Sequence, residues 1–204
     1  MPINILFVDD HELFAQSLAI ALEGYEEIQG FYTTRDLTSL TGLIVKKKID
    51  LVLMDIHLGT LTDQDGLAVA SRLKKEFPSL KLVILTGYDL PVYQYEAKKL
   101  GISGFLNKNI QPQELVKSLV RVFQGYPCFP SDASDLVIEE LTDTERQILQ
   151  LIASGKKRKE IAAKLYISER TLSNHLQHIY EKLEVTSAVE AVTKALQMGY
   201  LALK

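Results

Sequence analysis

The chain of 204 residues carries 23 Lys+Arg against 26 Asp+Glu, a formal net charge of −3, with 47% hydrophobic and 24% charged residues. These proportions exclude a disordered chain, which would pair low hydrophobicity with high net charge. A lone cysteine, Cys128, excludes an intrachain disulfide framework and points to a reducing compartment.

The start, MPINILFVDD, has no cationic region and reaches two acids after a short apolar run, so no signal peptide is expected. No stretch approaches the roughly 18 apolar residues of a membrane span. A cytoplasmic protein with no membrane partner is the expectation. Ile3–Val8 (INILFV) reads as a strand buried on both faces, and His11–Glu23 follows with apolar residues at helical spacing. Ile28–Tyr32 reads as a strand and Arg35–Lys47 as a helix. Leu51–Met54 is a strand ending at Asp55, followed by a helix over Leu67–Phe77 that Pro78 closes. Leu82–Leu85 is a strand ending at Thr86, with a helix running to about Lys99. Gly104–Leu106 is a short strand, and Pro112–Phe123 a helix with proline in its first turn. Five βα units predict a doubly wound, five-stranded parallel sheet over 1–123.

Residues 124–140 (QGYPCFPSDASDLVIEE) break this rhythm and read as a linker. From Leu141 no strand pattern remains. Thr142 with Glu145, and Ser187 with Glu190, fit the capping box that opens a helix. Ile161–Leu165 and a longer helix from Ser168 to about Glu184 lie between them. Residues 141–204 are therefore expected to form a small all-α domain of four helices. Charge divides at the same place. Residues 1–140 hold 13 Lys+Arg and 19 Asp+Glu, and residues 141–204 hold 10 and 7. The whole-chain charge thus conceals a basic second part, suited to a polyanion.

Ligands of open parallel sheets bind at the carboxyl ends of the strands. Those ends carry Asp9 and Asp10, Asp55, Thr86 and, just beyond the fifth strand, Lys108. Three carboxylates in one cleft cannot all stay ionised unless a cation joins them, and an oxygen-only set suits Mg2+. Asp55 would then be placed to attack a phosphoryl group, with Thr86 and Lys108 on its equatorial oxygens.

This set resembles the receiver domain of bacterial two-component response regulators, which has a flavodoxin-like fold. The resemblance implies that Asp55 accepts a phosphoryl group from a sensor histidine kinase. It also implies that Asp9, Asp10, Asp55 and the backbone carbonyl of His57 bind Mg2+, and that Phe105 is an aromatic switch residue coupled to Thr86. Two departures stand out. Gly59 occupies the place of a usual proline, and Asp55 is followed by glycine at Gly66, three residues later than usual. LGTLTDQDG thus forms a longer loop, with Asp63 and Asp65, beside the pocket. An aspartyl phosphohydrolase and a regulator that binds DNA without phosphorylation are the rival readings, but Val8-Asp9-Asp10-His11 lacks the Asp-x-Asp signature of such enzymes, and retention of all five pocket residues argues against the second. The chain is therefore expected not to be an enzyme.

In the second part, Ile161–Ser168 and Glu169–Leu183 read as helix, tight turn, helix. Leu172, Leu176, Ile179 and Leu183 form the buried stripe of the longer helix, leaving Arg170, Ser173, Asn174, Gln177 and Glu181 opposite. Asn and Gln can pair with adenine in the major groove, and Lys156, Lys157, Arg158 and Lys159 precede the helix pair where phosphates would be met. The run Lys159-Glu160-Ile161-Ala162, Leu165, Ile167-Ser168, Thr171, His175, Ile179 and Lys182-Leu183 resembles the LuxR-type helix-turn-helix of NarL/FixJ regulators, as does most of 141–204. The resemblance implies double-stranded promoter DNA as partner, contacted by Lys156–Lys159, Arg170, Thr171, Ser173, Asn174, Gln177 and Lys182. It further implies a homodimer through Val189, Val192 and Leu196 of the last helix, with RNA polymerase a further partner at the promoter. Ser173 and Ala188 replace the lysine and arginine often found there, so a smaller electrostatic contribution is expected. His175 is expected to pack between helices rather than touch a base.

Overall fold

The computed structural model describes residues 2–59, 61, 65–87, 90–130 and 139–201. Two compact units divide near residue 134. In the first, strands β1 (Ile3–Val8), β2 (Ile28–Thr34), β3 (Leu51–Met54), β4 (Lys81–Thr86) and β5 (Gly104–Asn107) alternate with α1 (Glu12–Ala21), α2 (Leu40–Lys46), α3 (Gly66–Glu76), α4 (Pro91–Lys99) and α5 (Pro112–Phe123). All strand pairs are parallel, in the order β2-β1-β3-β4-β5. This is the flavodoxin-like doubly wound order, whose switch point lies between β1 and β3.

The central strands are buried on both faces, which explains why they read as continuous apolar runs rather than alternating ones. Ile5, Phe7, Leu51, Leu53, Val83 and Leu85 share one face with Ala15 and Leu18 of α1 and Leu115, Val116 and Leu119 of α5. The pleat sends Leu6, Val8, Val52, Met54, Leu82 and Ile84 to the opposite face. All six are likewise fully buried.

Helix α2 begins five residues later than its apolar spacing predicts. The cause is local. Asp36 accepts hydrogen bonds from the Thr38 backbone N–H (2.9 Å) and hydroxyl (2.6 Å), so residues 36–39 form a side-chain-closed turn in place of a first helical turn. The Thr38 hydroxyl, with Ser39 next, holds the Asp36 carboxyl down at about 2.

The expected linker 124–140 is not uniform. Cys128 N–H donates to the Ser103 carbonyl (3.0 Å) and Phe105 N–H to the Cys128 carbonyl (2.8 Å), so the chain after α5 forms a bridge along the free edge of β5. Residues 131–138 lie outside the described residues.

The second unit comprises α6 (Asp143–Ala153), α7 (Arg158–Lys164), α8 (Glu169–Leu183) and α9 (Ala188–Met198). Thr142 and Glu145 close a reciprocal capping box on α6. Ser168 caps α8 through the Thr171 N–H at 3.0 Å. Ser187 caps α9, but Glu190 reaches back to the Thr186 N–H (2.8 Å), one residue earlier than a standard box. Ile148, Leu149, Ile161, Leu172, Leu176, Ile179, Leu183, Ala191 and Ala195 form the core. Between α7 and α8, Tyr166 takes a left-handed φ of 55°. No helix among the described residues is long and apolar enough to cross a membrane.

Candidate functional site

Parallel pairing of β1, β3, β4 and β5 puts their carboxyl ends side by side. Asp9 and Asp10 follow β1, and Asp55 follows β3, its N–H bonded to the Val8 carbonyl at 3.0 Å. Thr86 closes β4 and accepts, through its carbonyl, the Lys108 N–H at 2.8 Å. Asp9, Asp55 and Thr86 are buried. The Lys108 ammonium lies 2.6 Å from Asp9 Oδ2 and 2.7 Å from Asp55 Oδ2, tying β5 to both acids. Burial pushes that ammonium down, but the bonds and charges of Asp55 and Asp9 outweigh it and leave its pKa raised. Its Nζ also lies 4.8 Å from the centroid of the Phe14 ring.

Oxygens of Asp9, Asp10 and Asp55, with a ring nitrogen of His11, all fall within 4.8 Å of one another. One lysine cannot balance three carboxylates, and Asp55 Oδ1 is buried without a hydrogen-bond partner among the described residues. A hard, oxygen-seeking dication fits this donor set, because Mg2+ takes a few carboxylates and keeps its remaining positions for water and phosphoryl oxygens. His57 is half-buried in the loop after β3, and Phe105 is fully buried in β5.

Gly66 is dictated by the same loop. Its N–H donates to the Ile56 carbonyl at 2.7 Å, and a Cβ at this position would run into the Asp55 carbonyl oxygen. The longer loop thus returns to the acceptor through a glycine. Asp65 is committed to capping α3 through the Ala68 N–H at 2.8 Å, while Asp63 lies outside the described residues.

In the helical unit, Lys156, Lys157, Arg158 and Lys159 are exposed at the start of α7. Arg170, Thr171, Ser173, Asn174 and Gln177 are exposed on α8, while Leu172, Leu176, Ile179 and Leu183 face the core. The Ser173 hydroxyl donates to the Glu169 carbonyl (3.0 Å) and the Gln177 amide to Glu181 (2.9 Å). Asn174 makes no side-chain bond among the described residues.

Residues 5–120 match the response regulator receiver domain family, and residues 139–195 match the luxR family of bacterial regulatory proteins. The transcriptional regulatory protein DesR of Bacillus subtilis is 34% identical over 203 residues, covering 97% of this chain and 98% of DesR. The oxygen regulatory protein NreC of Staphylococcus carnosus is 28% identical, covering 97% of this chain and 99% of NreC. Among solved structures, RcsB from Salmonella typhimurium superposes with a TM-score of 0.70 at 27% identity, covering 94% of this chain and 98% of RcsB. A structure of two RcsB dimers bound to two parallel DNAs is similar at a TM-score of 0.70 and 25% identity, over 97% of this chain and 99% of that one.

The chain is a response regulator of the NarL/FixJ family. Receivers of this kind typically bind Mg2+ at an acidic cluster, and the regulator brings Asp9, Asp10 and Asp55 into such a cluster. It is a DNA-binding transcription regulator rather than an enzyme in the catalytic sense.

Three residues of the response regulator were not legible from spacing. His11 Nδ1 lies 3.0 Å from Asp9 Oδ1 and 2.8 Å from Asp10 Oδ1, bridging the two acids from the first turn beyond β1. Glu145 reads as a capping residue but is also an ion-pair partner, its carboxylate 2.8 Å from the Lys182 ammonium. Lys182, expected among the DNA contacts, is thus ion-paired within the helical unit, its side chain 25% exposed. It also donates to the Glu140 carbonyl at 3.0 Å, because its long stem reaches across to the start of α6 rather than along the exposed face of α8. On α9, Ala191 and Ala195 occupy the core positions, so Val189 is 78% exposed while Val192 and Leu196 are half-buried. His175 is half-buried on α8.

Proposed function

We propose that this response regulator is phosphorylated on Asp55 by a sensor histidine kinase in a Mg2+-dependent reaction. Phosphorylation then controls its dimerisation and its binding to promoter DNA in the cytoplasm. The observation that carries the reading is the meeting of Asp9, Asp10, Asp55 and Lys108 at adjacent strand ends, with Asp55 Oδ1 unpartnered among the described residues, in one chain with a helix-turn-helix.

Asp9, Asp10, Asp55 and the His57 carbonyl would hold the metal, which when bound neutralises the carboxylates and the incoming phosphoryl oxygens. Asp55 Oδ1 attacks phosphorus, and the P–N bond to the kinase imidazole breaks. The imidazole nitrogen leaves with the bonding pair, and an acyl phosphate forms on Asp55. Lys108 moves from Asp55 Oδ2 to an equatorial phosphoryl oxygen, and the Thr86 hydroxyl donates to another. Phe105, buried in β5 three residues before Lys108, is the residue whose packing reports the change. On the DNA side, Asn174 and Gln177 read bases. Ser173 assists them, and Lys156–Lys159, Arg170 and Thr171 contact phosphates. The exposed Val189, with Val192 and Leu196, supplies the apolar strip for a second copy on DNA.

The test is labelling with a small phosphodonor in the presence and absence of Mg2+, alongside Asp55→Ala. Label that requires Mg2+ and disappears in the variant supports the assignment. Equal label in Asp55→Ala overturns it. DNA affinity measured with and without phosphodonor distinguishes a phosphorylation-controlled regulator from one that binds constitutively.

A further inference from the structure

The turn joining α7 to α8 holds a residue that folding alone does not explain. Leu165 caps the C-terminus of α7, and Tyr166 follows in the left-handed region at φ 55°. Tyr166 N–H donates to the Ala163 carbonyl (3.3 Å) and Ile167 N–H to the Ala162 carbonyl (3.0 Å), after which Ser168 caps α8. Glycine is the usual residue at this position past a helix end, since a Cβ is strained there. The chain uses glycine at other left-handed turns, at Gly24, Gly101, Gly125, Gly155 and Gly199. Lys48 and Glu184 are the other described non-glycine residues with positive φ, and both are charged.

Tyr166 is 95% exposed, so its ring gains almost nothing from the protein interior in return for that strain. A large side chain kept in an unfavourable conformation, without packing, points to a role outside folding. Its place indicates the role. In a helix-turn-helix the first helix crosses the DNA backbone, and the second enters the major groove by its N-terminal residues. In that docking, a residue between the two helices, three positions before the first residue of α8, would come close to the phosphates at the groove edge. The exposed Arg170 and Thr171 lie just beyond it, and Lys156–Lys159 stand at the other end of α7. A tyrosine hydroxyl is a common donor to phosphate oxygens.

We infer that Tyr166 is a DNA-backbone contact of this response regulator, its phenol donating a hydrogen bond to a phosphate beside the groove that α8 enters. The left-handed turn fixes where the ring emerges, so the contact sets the depth and register of α8 rather than its base preference. The inference rests on the reading of α8 as the recognition helix.

The probe is a duplex selected from a random-sequence library by the full-length wild-type protein in the presence of phosphodonor. Tyr166→Phe removes one hydrogen bond and should weaken binding about 3- to 10-fold. Tyr166→Gly should weaken it by about tenfold or more while leaving the melting temperature of the helical unit unchanged or raised. Both losses should be uniform across single-base variants of the duplex. Ethylation of one phosphate per half-site should weaken the wild type and make no difference to Tyr166→Phe. Asn174→Ala is the control for recognition by α8. If it loses binding while both Tyr166 variants stay within about twofold of wild type, Tyr166 is not a contact and the recognition reading stands. Wild-type binding to the duplex that Asn174→Ala matches would instead remove the reading on which the inference depends.

Discussion

Lys182→Met tests the most consequential placement in the helical unit. The side chain is 25% exposed, whereas that of its partner Glu145 is 3% exposed, and the charges meet at 2.8 Å. Removing one member of a fully buried pair costs about 3–5 kcal/mol, and an exposed pair contributes about 0–1. Partial access of water to Lys182 puts the expected loss between these, at about 2 kcal/mol. Methionine keeps most of the stem, so the loss reports the charge rather than a cavity. A domain of this size shifts about 4–8 °C per kcal/mol, giving a fall of about 8–16 °C in the helical unit's transition by calorimetry on the full chain. The receiver transition should not move.

Acidification supplies a second readout. Burial pushes the Glu145 carboxyl up, but the bond from Lys182 and those from Thr142 outweigh it, and its pKa lies below the ordinary 4.5. A depressed carboxyl contributes stability that is complete above its unfolded value and is lost as pH falls through the folded one. The gap between wild type and Lys182→Met should therefore be widest near neutrality and close below pH 4.5. An unchanged transition in Lys182→Met, with DNA affinity reduced, would refute the structural role and return Lys182 to the phosphates.

Gly66→Ala forces a methyl group against the Asp55 carbonyl oxygen, and receiver unfolding should show a loss of about 3 kcal/mol with phosphorylation impaired in whatever remains folded. Lys108→Met removes the cation from Asp9 and Asp55. Mg2+ should then bind about tenfold more tightly by titration, as roughly 1.4 kcal/mol of cation–cation repulsion is relieved, while transfer from a phosphodonor slows. Ser168→Ala removes the cap of α8 and should destabilise the helical unit by about 1 kcal/mol in urea unfolding, with little effect on the receiver.

Much of the fold was legible because its signals are local. The central strands of the receiver are buried on both faces, so they appear as unbroken apolar runs, and the caps Thr142, Ser168 and Ser187 announce their helices by residue type and spacing. The start of α2 was not legible, because apolar periodicity carries no record of the turn that Asp36 closes on Thr38. The linker reads as a connection by its prolines and glycine, and the backbone pairing at Cys128 within it, along the edge of β5, is not marked by residue type, since backbone pairing leaves little trace in side chains.

The sequence alone determined that four strand ends carry Asp9-Asp10, Asp55, Thr86 and Lys108, and that a basic helical part follows an acidic α/β part. Residue type and order suffice for this, since a strand's carboxyl end is defined along the chain. Only the tertiary structure decided which charges meet. Lys108 lies on Asp9 and Asp55, His11 bridges Asp9 and Asp10, and Lys182 pairs with Glu145. Long side chains reach several ångströms from their backbone positions, and which partner they find depends on elements distant in sequence. Glu145 and Lys182, 37 residues apart, become neighbours only when α6 and α8 pack.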